Sequence, residues 1–265
     1  MEDWPMRGTR HLRAAASRDL MSGLVCGLTF CLALALANPT RAEADSRKVV
    51  VELFTSQGCS SCPPADANLA ALAQRGDIIA ISYHVDYWDY LGWRDTFAQA
   101  AFSERQRSYS RANSSWRVYT PQVVVGGAYQ TVGSDVAAVD ALVKAAQNTS
   151  RPSPSLRFQK QPHAMEVHAT GVDGYQGTGA TVWLATVSPK ASAKIERGEN
   201  EGREIEYANV VRTLVPIGRW TGQSLTLTFA IDPVLEAAGD VCLIFLQDND
   251  SGHILTAEWI VTARD

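Results

Sequence analysis

The feature that most constrains this chain is Cys59-Ser60-Ser61-Cys62, a cysteine pair lying between a β-branched run and a helical one. Lys48–Phe54 (KVVVELF) reads as a buried strand. Ala65 to Arg75 reads as a helix, with Leu69 and Leu72 three apart and Gly76 as its stop. Two cysteines with two residues between them at such a junction are a redox signature. Unpaired amides converge at the start of a helix, so the first cysteine is expected to be exposed there with a lowered pKa. The second falls one turn on, more buried, and close enough to close a small disulfide ring. Exchange then runs through a mixed disulfide. Pro63 and Pro64 cost little in a first turn, whose amides lack partners anyway, yet they are expected to delay the helix start relative to Cys62. A zinc half-site and a merely structural disulfide are the alternatives; the first needs two more ligands and the second would cross-link little chain.

The cysteine count sharpens this once the N-terminus is read. Arg7, Arg10, Arg13 and Arg18 precede an apolar run from Leu20 to Ala37 without an acidic residue, and Ala42-Glu43-Ala44 supplies a small-residue cleavage step. That is the secretory pattern, with cleavage expected after Ala44 (Ala42 next) and a retained anchor as the alternative. Residues 1–44 are thus expected to be a signal peptide, the protein periplasmic or secreted, with no membrane contact after cleavage. Cys26 and Cys31 leave with that segment, and Cys59, Cys62 and Cys242 remain of the five. Three thiols cannot build a disulfide framework; one close pair plus one single is the pattern of a reactive site and a bystander. Removing five basic and four acidic side chains takes the formal net charge from −4 to −5, which excludes the basic footprint of a nucleic-acid binder.

Beyond the signal the chain changes texture near residue 150. In 45–150, strands alternate with helices. Ile78–Val85 is a second buried strand, Asp95 is expected to cap a helix through Phe97, Phe102 and Tyr109, and that helix carries Arg105, Arg107 and Arg111 on its other face. Gln122–Val125, Gly126-Gly127 and Ala128–Val132 form a hairpin, and Ser134 begins a last helix. The order β-α-β-α-β-β-α is that of the thioredoxin fold. Arg151-Pro152-Ser153-Pro154 reads as a stiff linker. In 151–265 come seven short runs, Ser155–Gln159, Ala164–Ala169, Ala180–Val187, Glu204–Val215, Ser224–Ile231, Val241–Gln247 and Ile254–Val261, the spacing of a β-rich, sandwich-like domain.

Further positions fit a redox site. Thr120-Pro121 enters the hairpin where thioredoxin-like proteins carry a cis-proline facing the cysteines, whose preceding residue lends its backbone to substrate. Glu52, in a run of valines, is expected to be partly buried and able to take the proton of Cys62; an exposed strand face is the alternative. His84 and Asp86 end the second strand before Tyr87, Trp88, Tyr90 and Trp93, and His84 and Trp88 are candidates for a substrate-facing patch. A histidine satisfied among core aromatics is the alternative. Cys242, in an apolar run, reads as core filler.

Glu52 through Asp66 (ELFTSQGCSSCPPAD), His84–Asp89 (HVDYWD) and Tyr119–Gln122 (YTPQ) together resemble a family of secreted thioredoxin-like bacterial proteins that are uncharacterised. Arg197-Gly198-Glu199-Asn200 and Asn209–Arg212 extend the likeness into the second half. The resemblance implies a thioredoxin-like fold, with Cys59 as nucleophile, Cys62 as resolving thiol and Pro121 as the cis-proline; it supplies no substrate. The Ser-Ser dipeptide, the double proline and the insert near Asp95–Arg111 depart from thioredoxin and leave the direction of exchange open. The expected activity is exchange of the disulfide with protein thiols, with a second redox partner and no cofactor or metal. A Cu(I) module using Cys59, Cys62 and His84, and a non-catalytic adaptor, are the alternatives.

Overall fold

Val49–Thr55 forms strand β1, all seven residues buried. The computed structural model describes residues 47–112, 117–151, 153–162, 164–230 and 240–260; the expected signal segment and cleavage site lie outside them. The valine run is continuous because both faces of β1 are covered. Val49, Val51 and Leu53 pack with Ala65, Leu69 and Leu72 of α1 (Pro63–Leu72) and with Val139 and Val143 of α3 (Val136–Gln147). Val50 and Phe54 point the other way, into a core with Phe102 and Tyr109 of α2 (Ala100–Ala112).

Strand β2 (Ile78–His84) runs parallel to β1, while β3 (Gln122–Val125) is antiparallel to β1 and pairs with β4 (Tyr129–Val132). Gly126 and Gly127 make the turn at φ +59° and +73°. A side chain on Gly127 would also strike the carbonyl oxygen of Gly252, its Cβ falling 2.2 Å away. Two helix starts differ from expectation. Both prolines lie inside α1, whose start is early rather than delayed, and α2 begins at Ala100 instead of near Asp95, whose carboxylate is engaged elsewhere.

All seven strands expected in the second half are present. Strands β5 (Leu156–Gln161), β6 (Ala164–Ala169) and β9 (Leu225–Ala230) form a three-stranded sheet. Strands β7 (Ala180–Lys194), β8 (Glu204–Trp220), β10 (Val241–Asp248) and β11 (Ile254–Ile260) extend the sheet of the first half. The result is one eight-stranded sheet in the order β11-β10-β7-β8-β2-β1-β3-β4. The change of texture near residue 150 is thus a change within one sheet, and Glu43–Asp265 forms a single compact unit. The smaller sheet lays Met165 and Val167 on Val182, Trp220, Ile244, Leu246 and Leu255 of the larger.

The halves meet where β8 pairs with β2 at a single parallel rung, Ser82 with Val210. Two side chains reinforce it: Asn209 Nδ2 donates to the Ala80 carbonyl at 2.8 Å, and Ser82 Oγ to that of Ala208 at 3.1 Å. Beyond this seam β7 and β8 continue as a long hairpin, and its tip carries residues 195–203 to the cysteine loop.

Candidate disulfide site

Cys59 and Cys62 form a disulfide with Cα atoms 5.4 Å apart, between the end of β1 and the first turn of α1. Cys62 takes the N-cap position without a side-chain cap, and its carbonyl accepts the amides of Ala65 and Asp66. Both cysteines are 0% exposed, and between them Ser60 and Ser61 face solvent. The expected exposure of Cys59 is therefore not found. Trp88 packs against the loop just before Cys59: a Cβ on Gly58 would sit 3.2 Å from that of Trp88, a tight contact that would need the indole to give way slightly.

Trp88 also joins the second expected element. Its indole Nε1 donates to Thr120 Oγ1 at 2.7 Å, and the Thr120-Pro121 bond is cis. Trp93 Nε1 donates to Gln57 Oε1 at 2.8 Å. Thr120 and Trp88 are thus brought together beside the cysteine loop.

Glu52 goes elsewhere. Residues alternate faces along a strand, so Glu52 shares the α2 face with Val50 and Phe54, opposite the face that packs on α1. There Arg105 Nε donates to Oε1 at 2.8 Å and the Tyr109 hydroxyl to Oε2 at 2.5 Å. Arg105 further reaches Tyr109 and Gln247. Burial and the neighbouring Glu52 carboxylate raise the Tyr109 hydroxyl well above its usual range, against the pull of Arg105. Glu52 is a pinned core carboxylate, not a proton acceptor aimed at Cys62, and Arg105 is buried rather than on a solvated face.

The carboxyl on the cysteine face is Asp66, four residues after Cys62 on α1 and hence on the same helix side. It is 4% exposed and accepts from Thr55 Oγ1 at 2.7 Å, while Oδ2 has no partner. Burial pushes its pKa up to about 7, with the Thr55 hydrogen bond and His84 opposing. His84 pairs across β1–β2 with Thr55, so it shares this face. Its Nδ1 lies 2.8 Å from Asp95 Oδ2, its Nε2 is unpaired, and Phe97 and Tyr207 pack edge-on against the ring. Asp95 also accepts the amide of Gln57 at 2.8 Å. The Tyr207 hydroxyl is buried without a partner and is pushed far up by burial, then by Asp66 and Asp95.

Sequence reading placed His84 here but missed the roles of Asp66, Asp95, Tyr207, Glu199 and Asn200. The spacing of Asp66 from Cys62 was a usable signal. Tyr207 had none, because it arrives through long-range pairing; Arg197-Gly198-Glu199-Asn200 of the 195–203 tip stood out only as part of the family likeness, with nothing in the sequence to place it beside the cysteines. His84 is the buried histidine among aromatics, facing Asp95. The Cu(I) set of Cys59, Cys62 and His84 is not gathered: the sulfurs are bonded to each other and Nδ1 is given to Asp95, and among the described residues no three His, Cys, Asp or Glu side chains are grouped to hold a metal. Cys242 is half-buried in β10, against the core beneath the smaller sheet. A cleft of about 660 Å³ lined by Arg47, Lys48, Arg157 and Glu258 shares no residue with this site. No described helix is long and apolar enough to cross a membrane.

Fold and site define a mixed α/β protein with one large sheet, few helices and a buried Cys-x-x-Cys disulfide. The chain belongs to the family described as protein of unknown function (DUF1223), which matches residues 50–247. It is similar to a crystallographically solved structural-genomics protein of Agrobacterium tumefaciens at 30% identity and a TM-score of 0.71, covering 83% of this chain and 97% of that one. It shares its fold with HBP35 of Porphyromonas gingivalis, at 12% identity and a TM-score of 0.57, over 81% of this chain and 75% of the other. No curated protein matches.

Proposed function

We propose that this protein is an exported thiol-disulfide oxidoreductase with a thioredoxin-like first half, exchanging the Cys59–Cys62 disulfide with protein thiols. The carrying observation is the disulfide at the head of α1 with the protonatable, half-unpaired carboxyl of Asp66 one turn behind it. The strand order β2-β1-β3-β4, with helices on both faces, supports the thioredoxin-like reading. Export rests on the N-terminal sequence pattern.

In the oxidising direction, a substrate thiolate attacks Cys59 Sγ, the Cys59–Cys62 bond breaks, and Cys62 leaves as a thiolate that takes a proton from Asp66. A second substrate thiolate then attacks the mixed disulfide and releases Cys59 as a thiolate. The substrate dithiol gives two electrons to the cysteine pair and its two protons to solvent, and solvent returns protons to Asp66 and to the Cys59 thiolate; the reverse sequence reduces a substrate disulfide. Both sulfurs are buried, so attack requires the covering loop to shift. A purely structural bridge is a poor alternative, since so short a loop contributes only about 2 kcal/mol against about 5 for one of a hundred residues.

The test is a redox titration of the mature protein in glutathione buffers, read by thiol labelling. A reversible two-electron midpoint above about −300 mV is expected. A disulfide that stays oxidised across the whole glutathione range is a structural one, and leaves the adaptor reading in its place.

A further inference from the structure

The loop holding the disulfide is gripped from the second half of the chain. The hairpin tip between β7 and β8 closes on itself through Ile195 N–H to Arg203 O and Gly202 N–H to Ile195 O, each 2.8 Å. From it Asn200, 1% exposed, donates Nδ2 to the carbonyls of both Gln57 and Cys59 at 2.9 Å. Glu199, on the solvent side, accepts the Ser60 amide on Oε2 at 3.2 Å, and this contact holds its carboxyl below the usual range. That amide lies between the two cysteines, among the donors that stabilise a thiolate at the head of a helix. A carboxylate there occupies the donor and opposes the thiolate's charge.

We propose that Asn200 and Glu199 are positioning residues of the disulfide site: Asn200 fixes the Cys59 loop, and Glu199 disfavours the Cys59 thiolate and so makes the pair less oxidising. This rests on the oxidoreductase reading. A stabilised thiolate favours the reduced form, so removing the Glu199 charge shifts exchange toward reduction of this protein. The buried titratable groups of the site are Asp66 on α1, His84 on β2, Asp95 beyond it and Tyr207 on β8; Glu199 is exposed, as are Glu196, Arg197, Glu201 and Arg203 on the same tip. Salt therefore separates them, screening Glu199 far more than the buried groups.

The experiment is iodoacetamide labelling of the reduced mature protein against pH, each cysteine read by mass spectrometry, at low and high salt. Glu199→Gln is expected to move the Cys59 profile down by about half a pH unit, about threefold faster labelling below the midpoint. The shift shrinks at high salt, and the glutathione equilibrium moves by a similar factor. Glu199→Asp keeps the wild-type profile. Asn200→Ala, its fold checked by circular dichroism, is expected to be reduced by dithiothreitol at least threefold faster. Superimposable Glu199→Gln and wild-type profiles at low salt, or Glu199→Asp shifted as far as Glu199→Gln, overturn the proposal alone. Wild-type Cys59 and Cys62 with the same ordinary midpoint overturn the oxidoreductase reading itself.

Discussion

On the α2 side of β1, both carboxylate oxygens of Glu52 are engaged, one by Arg105 and the other by Tyr109. The Arg105 guanidinium is held in turn by Gln247 and Tyr109 and lies within 5.7 Å of four aromatic ring centres. On the α1 side, a few ångströms of strand away, Asp66 Oδ2, His84 Nε2 and the Tyr207 hydroxyl are buried with no protein partner. Both clusters put ionisable groups in the core. On the first, both Glu52 oxygens are engaged although the Tyr83 hydroxyl beside them is unpaired; on the second, a carboxylate oxygen itself is left open next to a disulfide. Folded proteins satisfy nearly all buried polar groups, so a cluster of orphans calls for an explanation, and groups with displaced pKa values gather at functional sites. On the proposed function, the Glu52 network belongs to the scaffold and the Asp66 cluster to the chemistry.

The sharpest way to break this contrast is Arg105→Met. It strands Glu52 without its cation, and about 3–5 kcal/mol of stability is expected to vanish in urea denaturation. In the fraction that remains folded, the disulfide exchange rate is expected to stay as in wild type. A large loss of exchange in folded protein would erase the division between the two faces.

Asp66→Asn is next in size and opposite in sign. The folded-state pKa of about 7 stands above the unfolded value of 3.8, so between those values the folded protein holds a proton that the unfolded chain has released. Wild-type stability therefore falls as pH rises from about 4 to 7 and levels off above, by up to about 4 kcal/mol at about 1.4 kcal/mol per unit. Asp66→Asn is expected to flatten that slope and to be the more stable protein at pH 8. Its exchange is expected to slow by about a hundredfold, within the range for losing a proton-transfer group. Denaturation at pH 4.5 and pH 8 checks the first effect, stopped-flow exchange the second.

Reducing the disulfide is expected to cost about 2 kcal/mol, read as a drop in the urea midpoint. Smallest is Thr120→Val, which removes the acceptor for Trp88 and is expected to cost about 1 kcal/mol, with a changed tryptophan emission as the cysteine loop loosens.

The strands were legible where hydrophobic patterning decides. The KVVVELF run, the second apolar run and all seven strands of the second half are found, and so is the glycine turn at 126–127. Sequence reading failed where a distant partner decides. Arg105 read as a surface residue because helical periodicity set it with Arg107 and Arg111, yet a carboxylate 53 residues earlier draws it inward. Glu52 is buried and partnered, as a carboxylate in a run of valines must be, but alternation along the strand turns it from the cysteines. Asp95 looked like a helix cap; its Oδ1 does accept the Phe97 amide, but the helix starts only at Ala100 and Oδ2 serves His84 and Gln57. The expected strand Ala180–Val187 stops short: β7 runs on through Pro189 to Lys194, and the ladder passes over Pro189 where Asn209, at φ +47°, lies between the pairs Ser188–Val210 and Lys190–Ala208.

The single rung between β2 and β8 has a consequence for solubility. Without the second half, β2 (IIAISYH) would be the outer strand of its sheet, largely apolar, with no lysine, arginine, carboxylate, proline or bulge to discourage pairing. Such a rim is a template for another chain. Strand β8 covers it with one backbone rung and two side-chain hydrogen bonds, and occupies the space a neighbouring molecule would need. The second half is therefore a guard against self-assembly as much as a companion to the cysteines, and residues 47–150 alone would be expected to associate through β2.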